Sequence, residues 1–349
     1  MTGKILKIAV IIVLALSLLI PSAIAAASPP PDGPPGLKRA IEVKEQYVDE
    51  LLETNGVVGV GVGHNETSNL AVIVFTETSG VRGLPAFLDG VPVVTKYSGK
   101  FYANPKPNKP DKPGKPPKDD EPNIDPTSRF DRPVPIGVST GHPDITAGTI
   151  GARVTDGINV YALSNNHVYA NENNASEGDA VIQPGTFDGG SSPDDDIGTL
   201  ADFVPIDFTG GVNYVDAAIA SSTTELLGKS TPADGYGTPK SAIVDASIGL
   251  KVKKYGRTTG ETNGRISAIN ATIEVGYDSG VAIFTNQMII SPGSFSAGGD
   301  SGSLIVLNDK RSDDHLKPVG LLFAGSSSYT IANPIDAVLA AFDVSIDGQ

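Results

Sequence analysis

A proline-rich stretch marks a domain boundary in this chain. Between Asn104 and Pro126 a proline occurs at almost every second or third position, lysines recur among the prolines, and an acidic cluster follows. Such a stretch stays extended in polyproline conformation and is too polar to bury a core. We therefore predict a linker over residues 103–128, a small domain over residues 36–102 and a larger domain over residues 129–349.

The N-terminus predicts export. Lys4 and Lys7 precede an apolar stretch over residues 8–20, and the small residues Ala23-Ile24-Ala25 follow it. This is the pattern of a secretory signal peptide, here over residues 1–25. An uncleaved anchor is the alternative, but the apolar stretch is too short to cross about 30 Å of hydrocarbon. We expect a secreted, cell-surface or otherwise extracytoplasmic protein, with no stable membrane insertion after signal cleavage.

The small domain is predicted to be an α/β unit. Apolar residues at spacings of three and four predict an amphipathic helix over residues 37–52, and strands are predicted over residues 57–62, 70–76 and 91–97. Glycine alternates with valine in the first strand. This alternation indicates close coverage by a neighbour, not nucleotide binding, because a strand and no helix follows. We favour a propeptide or folding assistant that contacts the larger domain, with surface attachment as the alternative.

Composition predicts a mainly β fold for the larger domain. The chain has 40 glycines, 27 prolines and no tryptophan, and its short apolar runs alternate with turn residues, which favours two packed barrels or sheets. The net charge of -14 argues against a nucleic-acid partner. The chain has no cysteine, which excludes thiol nucleophiles, disulfides and cysteine metal sites. We predict no metal and no cofactor.

One serine lies in a setting suited to nucleophilic catalysis. Ser301 stands in the run Gly299-Asp300-Ser301-Gly302, directly before an apolar strand. Acyl transfer needs an exposed hydroxyl beside converging backbone amides, and glycines allow the chain to fold that way. We expect the amides of Gly299 and Ser301 to form the oxyanion hole. The residue two positions after the serine is Ser303 and not glycine, which excludes the nucleophile elbow of α/β-hydrolases.

A serine hydroxyl needs a base, and the chain has 4 histidines. His167 follows an apolar strand directly, which favours it over the alternative His142 and over two histidines in charged or polar turns. A catalytic histidine needs a buried carboxylate to hold its tautomer. Asp216 enters the apolar run Val215-Asp216-Ala217-Ala218-Ile219, where burial requires a partner. The predicted catalytic set is therefore His167, Asp216 and Ser301.

These blocks resemble those of trypsin-like, chymotrypsin-fold serine peptidases of the bacterial and archaeal type. Asn166-His167-Val168, the Asp216 run and Gly299-Asp300-Ser301-Gly302 follow the family order, and Gly256-Arg257-Thr258-Thr259-Gly260 is similar to bacterial members. The resemblance covers about residues 130–349 and implies a two-barrel catalytic domain. It departs from the family where Asn165-Asn166 replaces the usual alanine pair.

The resemblance also implies roles for residues around the serine. It implies that Asp300 is a structural acid paired with a cation, for which we name Lys254. It implies a primary pocket with Phe295 at its base and with Ser296, Gly325 and Ser326 in its lining. Since no acid lies at the expected base, we expect small or uncharged substrate side chains.

The predicted function is a secreted serine endopeptidase that hydrolyses a polypeptide substrate through an acyl-enzyme. Two alternatives stay open at the level of the sequence. One is a catalytically silent binding or adhesion module, because a fold does not guarantee a function. The other is an esterase that uses the same three residues.

Overall fold

The computed structural model describes residues 35–103 and 124–349. The predicted signal peptide and most of the predicted linker lie outside the described residues. Within the described ranges, no helix is both long and apolar enough to cross a membrane. The described chain is mostly strand and turn, which confirms the prediction of a mainly β protein.

The N-terminal unit is a helix packed on a small sheet. Its elements are α1 (Leu37–Leu52), β1 (Val57–His64), β2 (Leu70–Thr76), β3 (Phe87–Leu88), β4 (Val91–Tyr97) and β5 (Phe101–Tyr102). β1 and β2 are antiparallel, β2 and β4 are parallel, and β3 pairs with β4. The apolar face of α1 packs on valines of β1 and β2 in one buried cluster. The predicted helix and strands are confirmed.

The first barrel carries the histidine and the aspartate. Its segment contains β6 (Ser139–Thr140), β7 (Gly148–Thr149), β8 (Ala152–Thr155), β9 (Val160–Ser164), α2 (Asn166–Tyr169), β10 (Ala180–Ile182), a 3-10 turn (Thr186–Asp188), β11 (Asp196–Phe203), β12 (Val212–Asn213) and β13 (Ala218–Ser222). β10, β11, β13, β9 and β8 form one sheet in that order, and β6 pairs with β7. A single bridge between Gly141 and Ile182 brings the β6–β7 pair to the β10 edge.

The second barrel carries the serine and is closed. Its elements are β14 (Lys251–Gly256), β15 (Gly260–Gly276), β16 (Val281–Ser291), a 3-10 turn (Gly293–Phe295), β17 (Leu304–Leu307), β18 (Pro318–Gly325) and β19 (Thr330–Pro334), followed by α3 (Ile335–Phe342) and β20 (Ser345–Ile346). Pairing runs from β14 to β15, β16, β19, β18 and β17 and returns to β14. β20 joins the free edge of β8 in the first barrel. The expected two-barrel architecture is confirmed.

The N-terminal unit does not form a separate sheet. β1 pairs antiparallel with β15, which makes one continuous sheet of the N-terminal strands and the second barrel. The glycines of β1 explain this close joint, because a Cβ on Gly61 would lie 3.1 Å from the Ala271 Cβ and one on Gly63 would lie 2.6 Å from the Ser267 carbonyl oxygen. The valine–glycine alternation therefore marks a closely covered strand, as the sequence indicated.

Candidate active site

His167 and Asp216 meet at the ends of two paired strands of the first barrel. β9 ends at Ser164 and leads directly into α2, which carries His167, while Asp216 lies just before β13. The Nδ1 atom of His167 lies 2.6 Å from Oδ2 of Asp216, and the backbone amide of His167 donates to Oδ1 at 3.3 Å. Both side chains are buried. Asp216 thus orients the imidazole, with Nδ1 directed at the carboxylate.

Three further hydrogen bonds fix Asp216. The hydroxyl of Tyr277 donates to Oδ2 at 2.9 Å, the Asp216 amide donates to the Asn333 side chain at 2.8 Å, and the Asn165 side chain donates to the Asp216 carbonyl at 2.7 Å. Burial and the adjacent carboxylate raise the pKa of Tyr277 well above its ordinary value, so this hydroxyl remains a donor. A buried carboxylate is costly unless it is paired and hydrogen-bonded, and this one is both.

Ser301 lies in a turn that glycines make possible. Gly299 and Gly302 have φ values of 97° and 94°, in the left-handed region that glycine adopts without strain. Three residues after Ser301 the chain enters β17. The turn docks on the first barrel, where the Thr149 amide donates to the Ser301 carbonyl at 2.7 Å. The turn that carries Ser301 therefore lies where the second barrel meets the first.

Hydrogen bonds on the preceding carbonyls set the direction of the two amides expected to form an oxyanion hole. The Thr258 hydroxyl donates to the Gly298 carbonyl at 2.7 Å, and the Ser303 hydroxyl donates to the Asp300 carbonyl at 2.6 Å. In a trans peptide the N–H points away from the carbonyl of the same unit. The amides of Gly299 and Ser301 therefore point to the opposite side, and neither has an acceptor among the residues that the structure describes.

Asp300 is buried within the block that follows β14. Its Oδ1 accepts the Thr258 amide at 2.8 Å, its Oδ2 accepts the Thr259 hydroxyl at 2.7 Å, and Lys254 Nζ lies 3.3 Å from Oδ2. Lys254 and Asp300 are both fully buried. Burial lowers the pKa of Lys254 from its ordinary value, and the Asp300 carboxylate opposes that effect. The structure thus brings together the acid and the base that the resemblance implied.

Arg257 adds a second buried ion pair beside the turn. Its Nε donates to Asp188 at 2.8 Å, a second guanidinium nitrogen also contacts that carboxylate, and the guanidinium donates to the Thr258 hydroxyl at 3.0 Å. Arg257 is almost completely buried. The resembled block Gly256-Arg257-Thr258-Thr259-Gly260 therefore supports both the Asp300 carboxylate and the hydroxyl that orients the Gly299 amide.

The Ser301 hydroxyl does not hydrogen-bond His167. It donates to the carbonyl oxygen of Ala103 at 3.1 Å, at the end of the N-terminal unit. The Nε2 atom of His167 is buried and has no hydrogen-bond partner in the described part of the chain. The structure thus pairs two of the three predicted residues, His167 and Asp216, and it places a backbone carbonyl of the same chain in contact with the third, Ser301.

A cavity of about 380 Å³ opens beside Ser301. Of the predicted pocket residues, Ser296, Gly325 and Ser326 line it. Phe295 does not, and this expectation is wrong: its ring is fully buried and fills the space left by the absent side chain of Gly264. The 3-10 turn that ends at Phe295 directs the ring into the core, and the cavity is lined by small residues and serines together with Lys100, Tyr102 and Leu322.

The alternative histidine lies elsewhere. His142 Nε2 is 3.3 Å from Asp179 Oδ2, and its Nδ1 accepts the Asp144 amide at 3.1 Å, so both ring nitrogens are engaged at the first barrel's own edge. Within residues 35–103 and 124–349, the structure contains no group of three or more histidine, aspartate or glutamate side chains placed to hold a metal ion.

Several contributors to the site carry no signal of their role in the sequence. Asn165 stands out only as a departure from a usual alanine, although its side chain makes a hydrogen bond that alanine cannot make. Tyr277 lies at a turn between two long strands. Thr258 belongs to a recognisable block, but its own function is not evident there. Only contacts between segments far apart in sequence reveal these roles.

Comparisons with known proteins support the resemblance to bacterial trypsin-like serine peptidases. The family described as "Nal1 C-terminal domain" matches residues 218–332. Glutamyl endopeptidase 2 of Streptomyces griseus is 27% identical over 172 residues, which cover 49% of this chain and 77% of that protein. Serine protease 1 of Streptomyces fradiae is 28% identical over 126 residues, 36% of this chain and 33% of that protein.

A plant protein also matches. Protein NARROW LEAF 1 of Oryza sativa subsp. japonica is 28% identical over 115 residues, which cover 32% of this chain and only 19% of that protein. Among solved structures, Thermobifida fusca Protease A aligns with a TM-score of 0.45 and 18% identity over 62% of this chain and 99% of that one. A glutamic acid specific serine protease aligns with the same TM-score of 0.45 at 21% identity, over 61% of this chain and 100% of that one.

Proposed function

We propose that this chain, which resembles bacterial trypsin-like serine peptidases, is an exported serine endopeptidase that uses His167, Asp216 and Ser301. The observation that carries the proposal is the buried imidazole–carboxylate contact of 2.6 Å between His167 and Asp216. It is supported by the Ser301 turn, which the Thr149 amide joins to the same barrel. The matched proteins named as an endopeptidase and as a serine protease favour peptide hydrolysis.

In the proposed mechanism Ser301 Oγ attacks the scissile carbonyl carbon and His167 Nε2 takes the hydroxyl proton. The free Nε2 atom supports this role, because the other ring nitrogen is held by Asp216 and the proton can only go to Nε2. Asp216 stabilises the imidazolium that forms. The amides of Gly299 and Ser301, which face away from the bonded carbonyls, hold the negative oxygen of the tetrahedral intermediate.

His167 then protonates the leaving amine, and the chain on the acyl side stays bound to Ser301 as an ester. Water attacks this ester, again with His167 as base, and releases the carboxylic acid product. No cofactor is needed at any of these steps. The cavity is lined by the small residues Ser296, Gly325 and Ser326, which favour small side chains on the acyl side. Its charged lining residue is Lys100, and no acidic side chain of the described residues lines it, which disfavours lysine and arginine at this position.

The experiment that tests the proposal compares peptide and ester substrates on the full chain and on two serine variants. We expect peptide hydrolysis by the native chain, and a loss of about six orders of magnitude in kcat for Ser301→Ala. Ser247→Ala, a change at an exposed serine far along the chain from the turn, is the matched control and keeps full activity.

Each alternative has its own outcome. Ester hydrolysis without peptide hydrolysis would identify an esterase. Binding of polypeptide with no turnover of either substrate would identify a silent module. Export is tested separately: the mature protein recovered outside the producing cell should lack about residues 1–25.

A further inference from the structure

Tyr277 is held in one orientation beside the histidine and the aspartate. It begins the hairpin turn between β15 and β16, where its amide donates to the Gly280 carbonyl at 2.7 Å. Its ring lies edge-on to the His167 ring, with centroids 6.0 Å apart, edge-on to Phe208 at 5.5 Å and stacked on Phe284 at 6.1 Å. Aromatic pairs at these separations prefer defined ring geometries. The ring is therefore packed on three sides, which fixes the direction of its hydroxyl.

That hydroxyl points at the carboxylate that contacts the proposed base. It donates to Asp216 Oδ2 at 2.9 Å, and the same oxygen lies 2.6 Å from His167 Nδ1. Asp216 is completely buried, and hydrogen bonds to a charged group are stronger than those between neutral groups. The phenol and the imidazole therefore share the negative charge of one oxygen.

A buried glutamate holds the turn that carries Tyr277. Glu172 is 7% exposed, and its two carboxylate oxygens accept the backbone amides of Asp278 at 3.2 Å and Ser279 at 2.7 Å. These two residues follow Tyr277 directly, and both are exposed. A carboxylate that accepts two successive amides fixes the backbone of the turn. Glu172 therefore determines where the Tyr277 ring begins.

The loop that contains Glu172 follows the helix that carries His167. Asn171, Glu172 and Asn173 have φ values of 47°, 54° and 71°, in the left-handed region that residues other than glycine rarely adopt. The Asn173 amide donates to Asn166 Oδ1 at 3.2 Å, and Asn173 Oδ1 accepts the Asn166 side chain at 2.8 Å. Such a backbone persists only where its surroundings determine it. The loop thus has a fixed place relative to both α2 and the turn.

We infer that Tyr277 is a positioning residue of the proposed active site: its hydroxyl fixes Asp216 Oδ2 and takes a share of the negative charge that faces His167. This inference rests on the proposed function, in which the imidazole becomes positively charged. Glu172 serves Tyr277 by holding its turn. Contacts therefore run from α2 through the loop to the turn, and from the turn through Asp216 back to the histidine on α2.

The surroundings of Tyr277 keep its proton in place. Burial, the Asp216 carboxylate and, more weakly, Glu172 raise the pKa of Tyr277 well above its ordinary value. The hydroxyl therefore remains a donor across the pH range in which a histidine titrates. Asp216 before β13, Glu172 in the loop after α2 and Tyr277 itself are the titratable groups of this network around His167. Because the phenol does not titrate in that range, it lowers the basicity of Asp216 by a constant amount.

The variant Tyr277→Phe removes the hydroxyl and keeps the ring with its aromatic contacts. We expect kcat to fall about tenfold with KM unchanged, because Asp216 loses a contact that orients it. The acid limb of the pH profile of kcat/KM should move to higher pH, because a carboxylate that loses a donor stabilises the protonated imidazole more strongly. Tyr161→Phe is the matched control, since Tyr161 also donates to an aspartate, Asp156, at 2.9 Å, in the hairpin between β8 and β9. It should leave kcat and the pH profile unchanged.

The variant Glu172→Gln tests whether the loop acts through Tyr277. It keeps one acceptor and turns an amide group toward a backbone N–H, which loosens the turn. We expect kcat to fall about threefold in the native background and not at all in Tyr277→Phe, because residues that act through one another are not additive. Glu177→Gln, at an exposed position of the same segment, is the control. Equal losses in both backgrounds would overturn the assignment of Glu172 to Tyr277.

A proton resonance separates this inference from the proposed function. The Nδ1 proton of His167, in the 2.6 Å contact with Asp216, should give a low-field NMR signal that is lost in His167→Ala. We expect the signal to move to still lower field in Tyr277→Phe and to keep its position in Tyr161→Phe.

An unshifted signal, or an unchanged acid limb, in a Tyr277→Phe variant that is folded by its thermal melt would overturn the inference and leave the hydroxyl a structural role only. A shifted signal in a chain that hydrolyses neither peptides nor esters would support the effect of Tyr277 on Asp216 and refute the proposed function alone.

Discussion

The two halves of the site are held in different ways. The His167 Nδ1 and Asp216 Oδ2 atoms lie 2.6 Å apart, and hydrogen bonds with Tyr277, Asn333 and Asn165 hold Asp216 in place. The serine lies in a glycine turn whose shape depends on hydrogen bonds and ion pairs of a neighbouring block, and its hydroxyl contacts the end of the N-terminal unit. The proposed base is thus already oriented by its carboxylate, while the hydroxyl of the proposed nucleophile is hydrogen-bonded to a backbone carbonyl of the same chain.

The contacts of the histidine half orient the imidazole, whereas some contacts of the serine half determine whether a substrate can reach Ser301. In the histidine half, each polar group of Asp216 has a partner inside the barrels, so a change there should impair the chemical step. In the serine half, one set of contacts directs the Gly299 and Ser301 amides of the proposed oxyanion hole, and another places the end of the N-terminal unit against Ser301. Variants of the two halves should therefore differ in whether they change turnover, stability or the availability of the site.

The largest effect is expected in the histidine half. Asp216→Asn keeps the size of the side chain but presents an amide to Nδ1, which selects the wrong tautomer of His167. We expect kcat to fall by about four orders of magnitude with little change in the thermal melt. Asp313→Asn, at an exposed loop position, is the control. Activity within tenfold of the native chain would show that Asp216 does not orient the base.

The next effect concerns the buried ion pair of the serine half. Lys254→Ala leaves the Asp300 carboxylate buried without its cation, and loss of one partner of a buried pair costs about 3–5 kcal/mol. We expect the free energy of unfolding, measured in denaturant, to fall by that amount and activity to fall with it. Lys251→Ala, on the same strand at an exposed position, should change stability by about 0.5 kcal/mol or less. Equal stabilities for the two variants would contradict the assignment.

The smallest of these effects should isolate the oxyanion hole. Thr258→Val removes the hydroxyl that bonds the Gly298 carbonyl while it keeps the shape of the side chain. The Gly299 amide loses its fixed direction, and we expect kcat to fall about tenfold or more with KM nearly unchanged. Thr224→Val, at an exposed threonine, is the control. A rise in KM alone would assign Thr258 to substrate binding instead.

The sequence predicted more of the candidate site's residues than of the contacts that hold them. The sequence singled out His167, Asp216 and Ser301 because each stands at a strand end or in a glycine turn, and the structure pairs the first two. The pairing of Lys254 with Asp300 followed from the family resemblance. The expected place of Phe295 was wrong because the direction of its ring depends on the space above Gly264, which no local pattern encodes.

The contacts that the sequence could not predict join segments far apart in the chain. The glycines of β1 indicated a close neighbour, but which strand pairs with β1 depends on register and on the length of β15. The contact between Ala103 and Ser301 likewise depends on how β5 enters between β15 and β18. Such pairings are set by the whole fold, so the residues could be predicted while the occupant of the cleft could not.

The most direct test of the central claim is covalent labelling by a fluorophosphonate, followed by mass spectrometry of the labelled peptide. It is done on the native chain and on Gly61→Val, in which overpacking against Ala271 weakens the joint between β1 and β15. We predict that Ser301 alone is labelled, faster in Gly61→Val, and that His167→Ala abolishes labelling while His64→Ala, at an exposed histidine, does not. Labelling of another residue, or none at Ser301 in folded Gly61→Val, would contradict the assignment of Ser301 as the nucleophile.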